Sequence, residues 1–117
     1  MSQSKTEKIL ADLMDKVPEI EGIILLDKNG NMSAGQTITQ MNRSAIAKSA
    51  AVMIASAREL SKSIDKGNVN ATYIEGDNGY AVMANSDKSI LLAIISKDAS
   101  ASLGLIIRDL KMTLSQF

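Results

Sequence analysis

Hydrophobic and polar residues follow a helical period at both ends of the chain. Near the start, the apolar spacing predicts a short amphipathic helix, which Pro18 ends. Its buried stripe consists of Ile9, Leu10, Leu13, Met14 and Val17. Near the end, Asp98 or Ser100 is placed to cap a last helix. The buried stripe of that helix consists of Leu103, Ile106, Ile107, Leu110 and Leu114.

Five short segments between these helices have the composition of strands. Residues 22–27 form a continuous apolar run, which predicts a strand buried on both faces. The turn residues at 28–31 include Asn29-Gly30, so the chain is expected to return through a second, more polar strand at residues 32–35. Three further strands, joined by short turns that favour antiparallel hairpins, are predicted at residues 69–75, 80–85 and 90–96.

The longest helical pattern runs from Arg43 to Lys66, and Gly67 is placed to end it in a left-handed conformation. Its expected core stripe consists of Ile46, Ala50, Met53, Ala57, Leu60 and Ile64. A second side carries small residues at four-residue spacing, beside Val52; these are Ala47, Ala51 and Ala55. This side either packs against another helix or is a solvent-facing surface of small side chains.

The third strand is a candidate for self-association. Its mixed polar and apolar composition predicts an edge strand, whereas the all-apolar segment at residues 90–96 belongs at the centre of a sheet. An edge without proline or lysine is open to pairing with another chain. A two-fold axis beside this strand would also bring two long helices together. The expected interface residues on the strand are Val69, Asn70, Ala71, Thr72, Tyr73 and Ile74.

Composition removes several classes of function. The 117 residues suit one domain spanning residues 1–117, and they include no cysteine and no histidine, so thiol and imidazole chemistry is absent. Thirteen basic residues balance thirteen acidic ones, and the aromatic residues are few, so a nucleic-acid partner is not expected. The chain has neither a signal-peptide pattern nor an apolar run that could insert into a membrane, which predicts a cytoplasmic protein.

Two short motifs resemble catalytic or metal-binding patterns and lack essential parts of them. Asp27 begins an alternation of oxygen ligands, but Met32 and Ile38 occupy positions where a calcium loop needs glycine and glutamate. Ser63 and Lys66 have the spacing of a serine and lysine dyad without its companion motifs. We therefore expect no catalytic residue, no metal and no cofactor, and hence a protein that is not an enzyme.

The element order resembles the Roadblock family of dynein-light-chain-like proteins over about residues 5 to 115. The resemblance rests on residues 10–13, on residues 17–22 before the first strand, on the Gly30 turn and on residues 50–60. It also rests on Gly67 before the third strand, and on Leu103-Gly104 beside Arg108 in the last helix. The length is similar to that of prokaryotic stand-alone members.

This resemblance implies an α+β fold of order αββαβββα, similar to profilin and longin domains. The five-stranded antiparallel sheet has the order 2-1-5-4-3, with the long helix on one face and the terminal helices on the other. It also implies a homodimer, or a dimer with a Roadblock paralogue, formed by the third strand and the long helix. Family members serve as non-catalytic platforms that bind and regulate small Ras-like GTPases, or as adaptors in motor and signalling complexes.

On this interpretation, the paired long helices present a surface to a small GTPase. The expected partner-binding residues are the cations along the helix, Arg43, Lys48, Arg58 and Lys62. The alternative is a structural adaptor that joins larger subunits without any preference for the nucleotide state of a partner. A small-ligand sensor or an enzyme is a third class, which requires a deep pocket with convergent polar groups.

Overall fold

The computed structural model describes residues 3–117, which form three α-helices, one 3-10 helix and five strands. In chain order these elements are α1 (Gln3–Lys16), β1 (Ile20–Asp27), β2 (Met32–Thr37), α2 (Arg43–Ser63), β3 (Ala71–Gly76), β4 (Gly79–Asn85), β5 (Ser89–Ser96), the 3-10 helix (Lys97–Ser102) and α3 (Leu103–Leu114). All neighbouring strands are antiparallel, and their order is β2-β1-β5-β4-β3. The predicted fold class, element order and sheet order are therefore confirmed.

Each face of the sheet buries its own hydrophobic cluster. Alternate residues of a strand point to opposite faces, so the continuous apolar runs of β1 and β5 serve both clusters. Helices α1 and α3 cover one face, where Leu10 and Leu110 pack against Ile23 and Leu91. Helix α2 covers the other face, where Ile54 packs near Ile24 and Leu92 in the second cluster. Among residues 3–117, no helix combines the length and apolar character needed to cross a bilayer.

The orientation of α2 differs from the prediction. Its buried residues are Ala47, Ala50 and Ile54, whereas Leu60 and Ile64 of the expected core stripe are exposed. The helix lies close to the turn between β1 and β2, where a Cβ atom built on Gly30 would be 3.1 Å from the Lys48 Cα atom. A helix that approaches backbone so closely needs small residues at the contact. The inward face therefore takes Ala47 from the alanine side, Ala50 from the expected core stripe, and Ile54, which the sequence assigned to neither.

The end of α2 is also earlier than predicted. The helix ends at Ser63, and Asp65 adopts the left-handed φ of 57° that was expected of Gly67. The N–H of Lys66 donates to the Ser61 carbonyl oxygen and the N–H of Asp65 donates to that of Lys62, the two hydrogen bonds of a Schellman motif. Gly67 also has a positive φ, but it lies in the connection to β3.

The remaining differences concern the bounds of elements. Strand β2 is longer than predicted, extending to Thr37, and β3 begins at Ala71 rather than at position 69. The last α-helix begins at Leu103, because the segment around Asp98 and Ser100 forms a 3-10 helix instead. The side chain of Ser96 caps that 3-10 helix by accepting a hydrogen bond from the N–H of Asp98.

Candidate functional site

Two of the four cations expected to bind a partner are engaged within the fold. The Arg43 guanidinium donates from Nη1 to the Gly35 carbonyl oxygen at 2.9 Å and from Nη2 to Thr37 Oγ1 at 3.3 Å. The Lys48 Nζ donates to Asn31 Oδ1 at 3.1 Å. Arg43 thus attaches the start of α2 to strand β2, and Lys48 attaches the middle of the helix to the β1–β2 turn.

The other two cations, Arg58 and Lys62, lie one turn apart near the end of α2. Within residues 3–117, no hydrogen bond or ion pair engages either side chain. Both line an open cleft of about 920 Å³ at the end of the sheet where the β1–β2 and β4–β5 turns lie. The cleft is also lined by Lys28, by the carboxylates of Glu59, Asp65 and Asp87, and by the amides of Asn68, Asn70 and Asn85.

The cleft is polar and carries charges of both signs. Its cations come from α2 and from the β1–β2 turn, and its carboxylates lie among them without forming ion pairs in the part of the chain that the structure describes. Unpaired charges of both signs on one concave surface suit a partner of complementary charge pattern, because electrostatic complementarity steers association and fixes orientation. Sequence reasoning identified Arg58 and Lys62, but not the cleft they share with residues from distant turns.

The β1–β2 turn beside this cleft is a hairpin turn, as predicted. Asp27 Oδ1 accepts the N–H of Asn29 at 2.9 Å and the N–H of Asn31 at 3.0 Å, while Gly30 has a φ of 86°. The hydrogen bond from the Asn31 N–H is the main cause that lowers the pKa of the Asp27 carboxyl below its ordinary value of 3.8, and the charge of Lys48 acts in the same direction. The carboxylate therefore organises the turn.

Ser63 and Lys66, which have dyad spacing in the sequence, do not form a nucleophilic site. The Ser63 hydroxyl donates to the Glu59 carbonyl oxygen at 2.7 Å, a bond within the last turn of α2. Lys66 lies beyond the end of the helix, and both residues are exposed. The two side chains therefore do not form the enclosed site that a serine and lysine dyad needs.

The residues expected at a dimer interface separate into buried and exposed groups on α2. Ala47 is fully buried against the sheet, so its side chain is not available to a second chain. Ala51 is half-buried, Ala55 is exposed, and Val52 is 68% exposed. The structure adds Leu60, 63% exposed, which the sequence assigned to the core. The surface available for helix packing therefore includes larger apolar residues than the alanine stripe.

On β3, the predicted interface residues lie along a sheet edge. Tyr73 and Ile74 are about half exposed, and Ala71 and Thr72 are half-buried. Val69 and Asn70 precede the strand, where their carbonyl oxygens accept hydrogen bonds from the side chain and the backbone N–H of Asn85, respectively. Among the strands that the structure describes, β3 pairs with β4 on one side and with none on the other.

An apolar groove lies between α2 and the edge of the sheet, and the sequence did not reveal it. Its volume is about 390 Å³, and Ile46 and Met53 line its helix side. Ile74, Met83 and Leu92 line its sheet side. Because α2 is turned with small residues inward, Ile46 and Met53 lie beside the core rather than inside it. The groove is continuous with Ile74 on the open strand, so apolar surface extends from α2 to β3.

Comparisons with known proteins place these features in a family. The Roadblock/LC7 domain family matches residues 6–96. The uncharacterized protein MJ0310 of Methanocaldococcus jannaschii is 27% identical over 100 residues, which cover 86% of this chain and 85% of the relative.

Solved structures of low sequence identity share the fold. MglB of Myxococcus xanthus superposes with a TM-score of 0.85 at 20% identity, covering 98% of this chain and 88% of that one. A Roadblock/LC7 domain from Streptomyces avermitilis gives 0.84 at 16% identity, covering 94% and 92%. Profilin II of Acanthamoeba castellanii gives 0.67 at 10% identity, covering 92% and 94%, which confirms the predicted likeness to profilin.

Proposed function

Because the chain belongs to the Roadblock/LC7 domain family, we propose that it is a homodimeric, non-catalytic platform that binds and regulates a small Ras-like GTPase. The sequence resemblance described above implies this role, and the cytoplasm is the compartment in which we place it. The observation that carries the proposal is the open β3 edge, which continues into uncovered apolar surface on α2.

Self-association is supported by the difference between the two edges of the sheet. At β2, the Arg43 guanidinium occupies the Gly35 carbonyl oxygen, so an incoming strand meets a bulky side chain and a used acceptor. At β3, neither proline nor lysine interrupts the strand, and the apolar side chains of Tyr73 and Ile74 are half exposed beside it. A second copy on β3 would cover both the unpaired backbone and the adjoining apolar groove.

Partner binding is supported by the cleft that contains Arg58 and Lys62. These cations are free of the intramolecular contacts that hold Arg43 and Lys48, so they can approach carboxylates of a second protein. The chain contributes no histidine or cysteine, and any stimulation of GTP hydrolysis would act by reshaping the nucleotide site of the GTPase. We therefore assign Arg58 and Lys62 to GTPase recognition rather than to chemistry.

The first experiment measures solution mass by light scattering for the parent chain and for a variant carrying Ala71→Lys and Tyr73→Lys. The parent is expected to have the mass of a dimer and the variant that of a monomer. The matched control carries Leu105→Lys and Met112→Lys, which alter exposed apolar residues of α3 rather than of the β3 edge, and it should remain dimeric. A monomeric parent would contradict the homodimer.

The second experiment tests the partner. Small Ras-like GTPases from the cells that express this chain are purified separately and loaded with GDP or with a GTP analogue. Each loaded GTPase is then tested for binding to the parent chain. We expect one nucleotide state to bind at least about tenfold more tightly, and the double variant Arg58→Glu, Lys62→Glu to lose that binding. The control variant, Arg108→Glu with Lys111→Glu, reverses two charges on α3 and should keep the binding of the parent. Equal binding of both nucleotide states would instead favour the structural adaptor.

A further inference from the structure

The hydrogen-bond pattern of the sheet determines which backbone groups of β3 are unpaired. The N–H of Asn85 donates to the Asn70 carbonyl oxygen, so this pair is a hydrogen-bonded one. Hydrogen-bonded and non-hydrogen-bonded pairs alternate along antiparallel strands. The pairs Thr72–Met83, Ile74–Ala81 and Gly76–Gly79 are therefore hydrogen-bonded as well.

The hydrogen bonds between β4 and β5 independently indicate the same alternation of hydrogen-bonded pairs. The N–H of Ser86 donates to the Ser89 carbonyl oxygen, which makes Ala84–Leu91 and Val82–Ala93 the hydrogen-bonded pairs between β4 and β5. The other residues of β4 consequently direct their backbone groups toward β3. On β3 itself, the N–H and C=O groups that point away from the sheet belong to Ala71, Tyr73 and Glu75.

We propose that two copies pair β3 against β3 in the register that sets Tyr73 opposite Tyr73 of the second copy. This inference rests on the proposed self-association and specifies its geometry. In this register Ala71 lies opposite Glu75 of the second copy, and Glu75 opposite Ala71. Every outward-facing residue of the strand then has a hydrogen-bonded partner within the strand of the other copy.

The two neighbouring two-fold registers, centred on Thr72 or on Ile74, give less favourable backbone pairing or side-chain contacts. Centring the pair on Thr72 places Glu75 opposite Val69 of the second copy, which lies outside the strand and already accepts a bond from Asn85. The unpartnered Thr72 hydroxyl does not favour this register, because that oxygen is buried and out of reach of a second chain.

Centring the pair on Ile74 makes the two Glu75 side chains diagonal neighbours. Diagonal neighbours across antiparallel strands are about 7–8 Å apart, so their like charges repel. In the Tyr73 register each Glu75 instead lies opposite the small, uncharged Ala71 of the other copy. The two carboxylates are then separated by about four residues along the strands. Charge and backbone pairing therefore favour the same register.

The same register gives each polar cleft a boundary from the second copy. In this register the end of β3 in the second copy, where Asp77 begins the hairpin turn, lies beside Val69, which lines the cleft of Arg58 and Lys62. The surface that we assign to GTPase recognition is then composed of both copies. A monomer would present it incompletely.

The absence of cysteine from the chain makes a disulfide scan a direct test of this register. Single variants Thr72→Cys, Tyr73→Cys and Ile74→Cys are oxidised under identical mild conditions, and the linked dimer is measured on a non-reducing gel. Disulfides need Cα atoms within about 7 Å, and only the residue at the two-fold axis meets its own copy at that distance. We expect Tyr73→Cys to be linked about tenfold more than the other two.

A mixed pair tests the register without altering Tyr73. When Ala71→Cys and Glu75→Cys chains are unfolded together, refolded and oxidised, the mixed disulfide should exceed each self-linked species. Predominant linkage at Thr72→Cys or Ile74→Cys would overturn the register and leave the β3 dimer in place. A parent of dimeric mass that links at none of these positions would overturn β3 pairing, whereas a monomeric parent would overturn the homodimer as well.

Discussion

The Arg43 guanidinium donates a 2.9 Å hydrogen bond to the carbonyl oxygen of Gly35, at the outer edge of strand β2. Arg43 is the first residue of α2, so one side chain connects the helix to the strand edge. The contact also uses an acceptor that an incoming strand would need. The two edges of the sheet are therefore unequal, and β3 is the more accessible one.

Replacing Arg43 with alanine should destabilise the chain by about 1–3 kcal/mol, because two hydrogen bonds from a charged donor are lost. Urea unfolding monitored by circular dichroism measures the change. Arg108→Ala is the matched control, since Arg108 is exposed on α3 and should change stability by less than about 0.5 kcal/mol. Equal stability of the two variants would contradict a structural role for Arg43.

Gly30 should be intolerant of substitution for two separate reasons. Its φ of 86° is unfavourable for other residues, and an added Cβ atom would be 3.1 Å from the Lys48 Cα atom. Gly30→Ala should therefore cost about 2 kcal/mol or more. Gly104→Ala provides the opposite case, because Gly104 is helical with nothing within 4 Å, and the variant should be about 0.5–1 kcal/mol more stable. Thermal unfolding of the two variants compares these effects.

Much of the fold could be predicted from local sequence patterns. The apolar runs of β1 and β5 identify central strands because both faces of those strands are buried, and Asn29-Gly30 identifies a hairpin because few residues accept its backbone conformation. The sheet order followed from the family resemblance. The strands and the turn depend on residues that are close in sequence, and the sheet order depends on the order of elements along the whole chain.

The rotation of α2 could not be predicted in the same way. A helical period shows that apolar sides exist but does not fix the rotation of the helix, and here the buried face lies between the two predicted sides, along Ala47, Ala50 and Ile54. The close approach of Gly30 to the helix favours that choice, and it is a contact between distant parts of the chain. The internal hydrogen bonds of Arg43 are equally nonlocal, so its side chain resembled a free surface cation in the sequence.

Asp27 should make the stability of the turn depend on pH. Its folded-state pKa is lowered, so its contribution to stability is complete above the unfolded value of 3.8 and is lost as pH falls through the lower folded value. Asp27→Asn removes that titration. Urea unfolding between about pH 2 and pH 7 should show parent and variant of similar stability in acid, a difference that grows as pH rises toward 3.8, and a nearly constant difference at higher pH. A difference that is constant over the whole range would contradict the role of the carboxylate.

Asp65 occupies a backbone position that favours glycine. Its φ of 57° completes the Schellman motif at the end of α2, and left-handed backbone costs most residues about 1–2 kcal/mol. Asp65→Gly should therefore stabilise the chain by about 0.5–1 kcal/mol after the added entropy of the unfolded glycine is subtracted. The midpoint of urea unfolding should rise. A lowered midpoint would mean that the Asp65 side chain stabilises the loop by more than the conformation costs.

The orientation of α2 predicts different concentration dependences for a buried and an exposed residue. Ile54 is in the core, so Ile54→Ala should cost about 3 kcal/mol at every protein concentration. Leu60 is exposed on the helix surface next to the proposed dimer contact. If a second copy covers that surface, Leu60→Ala lowers the apparent stability by weakening the dimer. The difference in unfolding temperature between parent and Leu60→Ala should then grow with protein concentration, because dimerisation stabilises the parent more as concentration rises. Thermal unfolding over a hundredfold range of concentration measures both, and a concentration-independent effect of Leu60→Ala would place Leu60 outside the interface.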